Sequence, residues 1–211
     1  MVSLSLAEDG LWEKVGEVDG IVGYTRPTTL SRVAEIKAVG IVYAPIAVVE
    51  AVIRDVTVMP QYMFLCKEAY LINSQDMKSS GDIIYFYSLT DLPFPVQDRD
   101  VVGKSIWSVN KTTGAIHCHM EAVETMYKRR KDVVRIPLSI VDCTLIPLGN
   151  DKTEVIYQVM SDPGGELPSS LVSLLIRDYG IKTIAGLRHM VKKDQFKNVK
   201  NIVTSTIKVN H

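Results

Sequence analysis

The sequence predicts an α+β fold in which a curved antiparallel β-sheet wraps around a long C-terminal helix and encloses a cavity. Three observations carry that expectation. Between Cys66 and Met160 the chain reads almost wholly as strands, with candidates over 66–73, 82–90, 99–109, 115–124, 133–146 and 153–161. Short turns such as Ser79-Ser80-Gly81, Thr112-Thr113-Gly114 and Gly149-Asn150-Asp151 divide them, which is the pattern of one antiparallel meander. From Pro168 onward, Leu171, Val172, Leu175, Tyr179, Leu187 and Met190 lie largely along one side of a long helix. A bent sheet crossed by one helix leaves a concave space that side chains need not fill, and such mouths are preferred sites for small ligands.

The N-terminal elements complete the order. Leu11 to Val15 is expected to open with a short helix anchored by Trp12, followed by strands at 21–24 and 33–42. In the second strand Ala34, Ile36, Ala38 and Gly40 make one small or apolar face. Ala44-Pro45 starts a helix, proline being favoured at the first helical position, and Met59-Pro60 breaks it. Two helices would then pack on a single face of the sheet. Asp162-Pro163-Gly164-Gly165 stops the last strand, and Gly180 and Gly186 interrupt the final helix.

The 211 residues fit a single domain, with a core over about 12–196 and a polar, frayed tail over 197–211. Lys plus Arg and Asp plus Glu balance at 24 each, which removes the basic footprint of a nucleic-acid binder. Three scattered cysteines, Cys66, Cys118 and Cys143, form no disulfide framework and point to a reducing, cytoplasmic setting. The first nine residues lack the basic start of a signal peptide, and the most apolar stretch, Gly40 to Ile53, falls short of a membrane span.

One stretch resists assignment to the meander. Leu92-Pro93-Phe94-Pro95-Val96-Gln97-Asp98-Arg99-Asp100 sets two prolines and an acid–arginine–acid triplet between two strand candidates. The prolines lack ladder donors, so the segment is a stiff loop rather than a strand. Phe94 either tips a lid or staples the loop to the core. On the following strand, alternation turns Asp98 and Asp100 away from Arg99, which shares its face with Val101, Gly103, Ser105 and Trp107. That face is the inward one, so Arg99 requires a partner from another element. It either braces sheet against loop or contacts a ligand.

Other polar groups carry less. His117 and His119 share a strand face with Glu121, but the opposite face, Cys118, Met120 and Ala122, is the apolar one, so the histidines look to solvent and no metal is expected. Gly164-Gly165 lacks the Gly-Lys-Ser/Thr of a phosphate cradle and reads as a sharp exit from the last strand. Lys128-Arg129-Arg130-Lys131 reads as a solvated basic tip, with contact to anionic headgroups as the alternative. No histidine sits beside a convincing nucleophile, so neither catalytic residues nor a cofactor is expected.

The order and spacing of several motifs resemble the START (StAR-related lipid transfer) domain family of the Bet v 1-like superfamily. They are the Pro-rich loop ending in Arg99-Asp100, Leu145-Ile146-Pro147 followed by Lys152-Thr153, Gly164-Gly165-Glu166-Leu167-Pro168 before the last helix, and Gly186-Leu187-Arg188 within it. The resemblance spans roughly Trp12 to Phe196. It implies a helix-grip fold around a hydrophobic cavity, lipid binding or lipid transport, and a loop over 92–98 that moves with the C-terminal helix. Sterol-binding members carry an acid on the strand before the loop and a second arginine beyond it. Here those places offer Ile84, Phe86 and Ser88, with Ser105 in place of the arginine, which implies a less polar cavity.

The expected wall comprises Ile84, Phe86, Arg99, Val101, Ser105, Trp107, Met120 and Tyr157 from the sheet, with Tyr179, Thr183, Gly186 and Met190 from the helix. Pro93, Phe94 and Pro95 are the expected gate. The glycines of the helix would give a ligand room or let the helix bend; plain core packing is the other reading. The expected partner is a lipid or other apolar small molecule, with transient contact to a membrane surface. The rival reading is a polyketide aromatase/cyclase-like enzyme using the same cavity.

Overall fold

The computed structural model describes residues 11–74, 77–123, 127–197 and 199. Apart from Lys197 and Val199, the tail read as polar and frayed lies outside the described residues, as do the first ten residues. Ten strands, β1 (Glu13–Val18), β2 (Ile21–Arg26), β3 (Glu35–Val42), β4 (Cys66–Leu71), β5 (Ile83–Thr90), β6 (Asp98–Val109), β7 (Ile116–Ala122), β8 (Val133–Arg135), β9 (Leu138–Pro147) and β10 (Thr153–Asp162), form one sheet. Its order is β1-β2-β3-β10-β9-β7-β6-β5-β4, with β8 beside β6. The run from β4 to β10 is the expected meander, and β10 closes against β3 with Tyr157 opposite Ala38. The helices are α1 (Ile46–Arg54), α2 (Met59–Tyr62) and α3 (Ser169–Met190).

Several expectations change. The residues read as an N-terminal helix are β1, antiparallel to β2 with Val18 opposite Ile21. Asp19 and Gly20 take φ of 50° and 71°, the two-residue turn that matches strand twist and that Asp-Gly favours. Trp12 does anchor this region, its ring meeting the Arg26 guanidinium at 4.5 Å and the Lys37 ammonium at 4.1 Å. The strand read over 133–146 is divided at Pro137, which has no N–H for a ladder, and its first part, β8, runs parallel to the start of β6. Met59-Pro60 does not break the preceding helix, which ends at Arg54; Pro60 instead sits in the first turn of α2.

Alternation places the core. In β3, Ile36, Ala38, Gly40 and Val42 are buried while their neighbours are partly exposed. Seven consecutive residues of α1, Ala47 to Ile53, are buried, so the helix is enclosed on all sides, by β9, by α3 and by the turn at Asp194–Phe196. Helix α3 runs unbroken through Gly180 and Gly186, contrary to the expected interruptions. A Cβ on Gly180 would lie 2.7 Å from the Ala38 Cβ, and one on Gly186 would lie 2.2 Å from the Tyr62 carbonyl oxygen. The glycines are where the helix presses onto β3 and α2, which offsets the roughly 1 kcal/mol that glycine costs inside a helix.

Candidate functional site

Between the sheet and the N-terminal half of α3 lies a cavity of about 150 Å³. Alternate residues of the strands make its wall: Phe86, Ser88 and Thr90 on β5, Arg99, Val101 and Gly103 on β6, Met120 and Ala122 on β7, Ser139 and Val141 on β9, and Tyr157, Val159 and Ser161 on β10. Leu175, Ile176 and Tyr179 of α3 form the roof, with Met59, Met63 and Cys66 at one side. The Phe86 ring lies across Gly103, where a Cβ would meet it at 2.4 Å, so this glycine lets an aromatic ring cover the sheet.

Of the expected wall residues, Phe86, Arg99, Val101, Met120, Tyr157 and Tyr179 line the cavity. Six do not. Ile84 and Ser105 face each other across β5 and β6, one step beyond the Phe86–Gly103 pair. Trp107 lies further along, its indole nitrogen donating to the Ser105 hydroxyl at 3.2 Å and its ring covered by Arg54 at 4.3 Å. Thr183 is buried and accepts from the Phe64 backbone N–H at 3.3 Å. Met190 belongs to the packed core, and Gly186 abuts the Tyr62 backbone. Gly186 therefore gives a ligand no room.

Arg99 is 3% exposed and closes the mouth. Its guanidinium donates to the carbonyls of Pro163 at 3.3 Å, Gly164 at 3.1 Å and Glu166 at 3.3 Å, and to that of Gln97. Gly164 and Gly165 hold φ of 65° and 61°, the left-handed region that lets this hinge turn its carbonyls onto the guanidinium. The expected bracing partner is thus backbone rather than a carboxylate. Burial lowers the Arg99 pKa, with Asp98 pulling the other way. Asp100 does point away from Arg99, but it is buried on the other face of the sheet, where Arg135 holds it with bonds of 2.6 and 3.1 Å. On the outer side of Arg99, Pro95, Val96 and Gln97 face Val134 and Gly165 to Pro168 across a second depression of about 470 Å³. Arg99 and Leu167 line both spaces and form the partition between them.

Of the expected gate residues, only Pro95 lines a space, the outer one. Pro93 and Phe94 line neither, and Phe94 is 96% exposed, so the stapling alternative does not hold. The loop is fixed by its neighbours instead: Leu92 is buried, its N–H donates to Asp98 at 3.1 Å, and Lys67 reaches Asp91 at 2.7 Å.

The remaining polar groups take structural places. His117 and His119 share Asp142 of the adjacent strand at 3.2 and 2.8 Å. That partner was not legible in the sequence, because it depends on the β7–β9 register. Among the described residues no group of three His, Cys, Asp or Glu is placed to hold a metal ion. The basic tip is only partly solvated: Arg130 grips Glu68 with two bonds of 2.7 Å and lies over the Tyr87 ring. Burial pushes the Cys66 thiol up to about 11 and the Cys143 thiol up to about 12. The Tyr157 and Tyr179 phenols are raised by the same cause. Thiols and phenols along this wall are therefore neutral.

A grip of curved sheet and helix closed on an apolar space defines a class of proteins that hold hydrophobic small molecules. Residues 1–195 match the family model of the START domain, and the chain belongs to that family. It is 31% identical over 189 residues to an uncharacterised protein of Pseudomonas aeruginosa, covering 90% of each chain. It is similar to the crystal structure of a STAR-related lipid transfer protein fragment from Xanthomonas axonopodis. That match has 29% identity and a TM-score of 0.75, and covers 88% of this chain and 100% of that one. The fold also matches human StAR-related lipid transfer protein 5 at a TM-score of 0.75 and 20% identity, over 88% of each chain. Among the described residues no helix is long and apolar enough to cross a membrane.

Proposed function

We propose that the protein carries or senses a lipid-like molecule in the cytoplasm, without catalysis, and that the 92–98 loop and α3 gate its cavity. The observation that supports this most is the apolar space behind the Arg99 partition. Moving hydrocarbon from water into such a space gains about 0.8 kcal/mol per methylene, on the order of 12 kcal/mol gross for a chain of about sixteen carbons. Ligand pockets commonly measure roughly 300–1,000 Å³. The cavity's 150 Å³ is smaller, so loading a molecule of that size requires the walls to part. The roof is suited to that: residues 172–179 of α3 are half-buried or exposed, whereas most of 180–190 are buried. Opening the Arg99 clasp would join the cavity to the outer depression, giving a guest a route under the helix. Neutral phenols and thiols along the wall suit storage better than proton transfer.

Native mass spectrometry of the protein after incubation with a lipid extract tests this reading. The expected result is one bound hydrophobic molecule per chain, recovered chemically unchanged. Failure to retain any such molecule from several extracts would remove the binding function. Recovery of an altered molecule, such as a cyclised polyketide, would make the protein an enzyme.

A further inference from the structure

The three cysteines are scattered along the sequence, but the sheet brings two of them together. Cys118 on β7 and Cys143 on β9 are direct partners across the ladder. Both lie on the inward face, both are free thiols, and each residue is 1% exposed. They form part of one rung, Ala38, Tyr157, Cys143, Cys118 and Trp107, that crosses five strands. The next inward rung toward the mouth, Met120 opposite Val141, lines the cavity. Cys66 is half-buried on β4, its thiol donating to the Glu68 carbonyl at 3.6 Å.

The backbone sets how far apart the pair stands. At the two flanking turns the Asn110 N–H donates to the Ala115 carbonyl and the Leu148 N–H to the Lys152 carbonyl. Hydrogen-bonded and non-hydrogen-bonded pairs alternate from there, so Cys118 and Cys143 turn their N–H and C=O groups toward each other. Residues paired in this way have Cα atoms about 5.5 Å apart, and disulfides favour roughly 5.5–6 Å. The Cβ atoms of opposed residues stand about 4.5–5.5 Å apart and must close to about 3.8 Å. A bond formed here is therefore within reach but strained, and strained disulfides are the readily reduced ones.

The surroundings keep the pair as thiols at rest. Burial is the first cause that raises both, Cys143 to about 12, and at Cys118 the Cys143 sulfur is the next. Neutral thiols are poor nucleophiles, so oxidation is slow and requires an oxidant small enough to enter the wall.

We infer that Cys118 and Cys143 are a reversible redox pair, oxidised by hydrogen peroxide to a disulfide that ties β7 to β9 beside the cavity. One sulfur, as its thiolate, attacks a peroxide oxygen; the O–O bond breaks, giving a sulfenic acid and hydroxide. The other sulfur gives up its proton and attacks the sulfenic sulfur; the S–S bond forms and a second hydroxide leaves. The two released protons convert both hydroxides to water, so two thiols and one peroxide become one disulfide and two waters. Closing this rung tightens the wall next to Met120 and Val141.

Peroxide treatment of the native, fully reduced chain, followed by peptide mapping and thiol counting under denaturing conditions, tests this. A Cys118–Cys143 crosslink should form in wild type and equally in Cys66→Ser, with two thiols lost per chain in each. Dithiothreitol should restore both without unfolding the protein. Cys143→Ser should form no crosslink, and its Cys118 should instead be captured by dimedone as a sulfenic acid. The inference is overturned if both thiols stay free under excess peroxide, or if they pass to sulfinic acids uncrosslinked, in wild type and Cys66→Ser alike.

Discussion

Two halves of the same sheet face behave differently. Toward the loop end, Tyr157, Val159, Ser161, Val141 and Ser139 border empty space. A few residues along the same strands, Val155, Leu145, Cys143, Cys118, Ile116 and Trp107 are packed solid, each 4% exposed or less. Strands, face and alternation are the same; the difference lies in what covers them. Helix α1, buried on all sides over Ala47 to Ile53, covers the packed half and is itself enclosed by α3 and the turn at Asp194–Phe196. Over the hollow half, α3 stands off: Gly180 and Gly186 fix its C-terminal part against Ala38 and Tyr62, while its start rests on the buried Leu171 and follows the Pro163–Pro168 hinge that the Arg99 clasp holds. A face can thus be inward without being filled, and function occupies the unfilled part.

That contrast can be broken in three ways. The largest effect is expected in the packed half. Gly186→Ala drives a methyl group into the Tyr62 backbone, 2.2 Å from its oxygen, and neither helix can yield without disturbing the core. A loss of about 3 kcal/mol or more in urea denaturation is expected, at the upper end for overpacking. A loss below about 0.5 kcal/mol would show that α3 is not pinned there.

At the boundary, Arg99→Met removes donors to four carbonyls while keeping the apolar stem. Bonds to a charged group contribute about 1.5–3 kcal/mol each at most, and the carbonyls regain water, so a net loss of about 2 kcal/mol is expected. Dissociation of a preloaded fluorescent fatty alcohol, followed by stopped flow, should quicken severalfold; an unchanged rate would separate the clasp from gating. The smallest stability effect belongs to the hollow half. Val159→Phe puts its extra volume into the cavity, so the cost should stay under about 1 kcal/mol while alcohol uptake falls sharply. Equal damage to stability and uptake would show the space to be ordinary core.

Much of this was legible beforehand. The meander, the long helix and the inward turn of Arg99 between two acids on the opposite face all follow from period-2 and helical spacing. The Asp19-Gly20 turn was legible too: that dipeptide between two apolar runs signals a hairpin, and the signal outranks the helical look of Leu11 to Val15. Other features were not. Ser105 and Trp107 share the Arg99 face, yet alternation gives no depth along a strand, and they fall in the packed half. Three of the four carbonyls around Arg99 come from more than sixty residues away, and Asp142 meets His117 and His119 only through register.

Apart from β1 and the break between β8 and β9, the sequence by itself determined which residues form strands and helices, which side of each strand turns inward, and that residues 92–97 could not join the sheet. These are properties of neighbouring residues, set by steric preference and local spacing. Only the tertiary structure decided where the helices settle on that sheet, and hence which stretch of an apolar face is filled and which is left open above Tyr157. Packing is a long-range outcome: the contacts that pin α3 join residues more than a hundred positions apart, and no local pattern encodes the gap between two surfaces that meet only when folded.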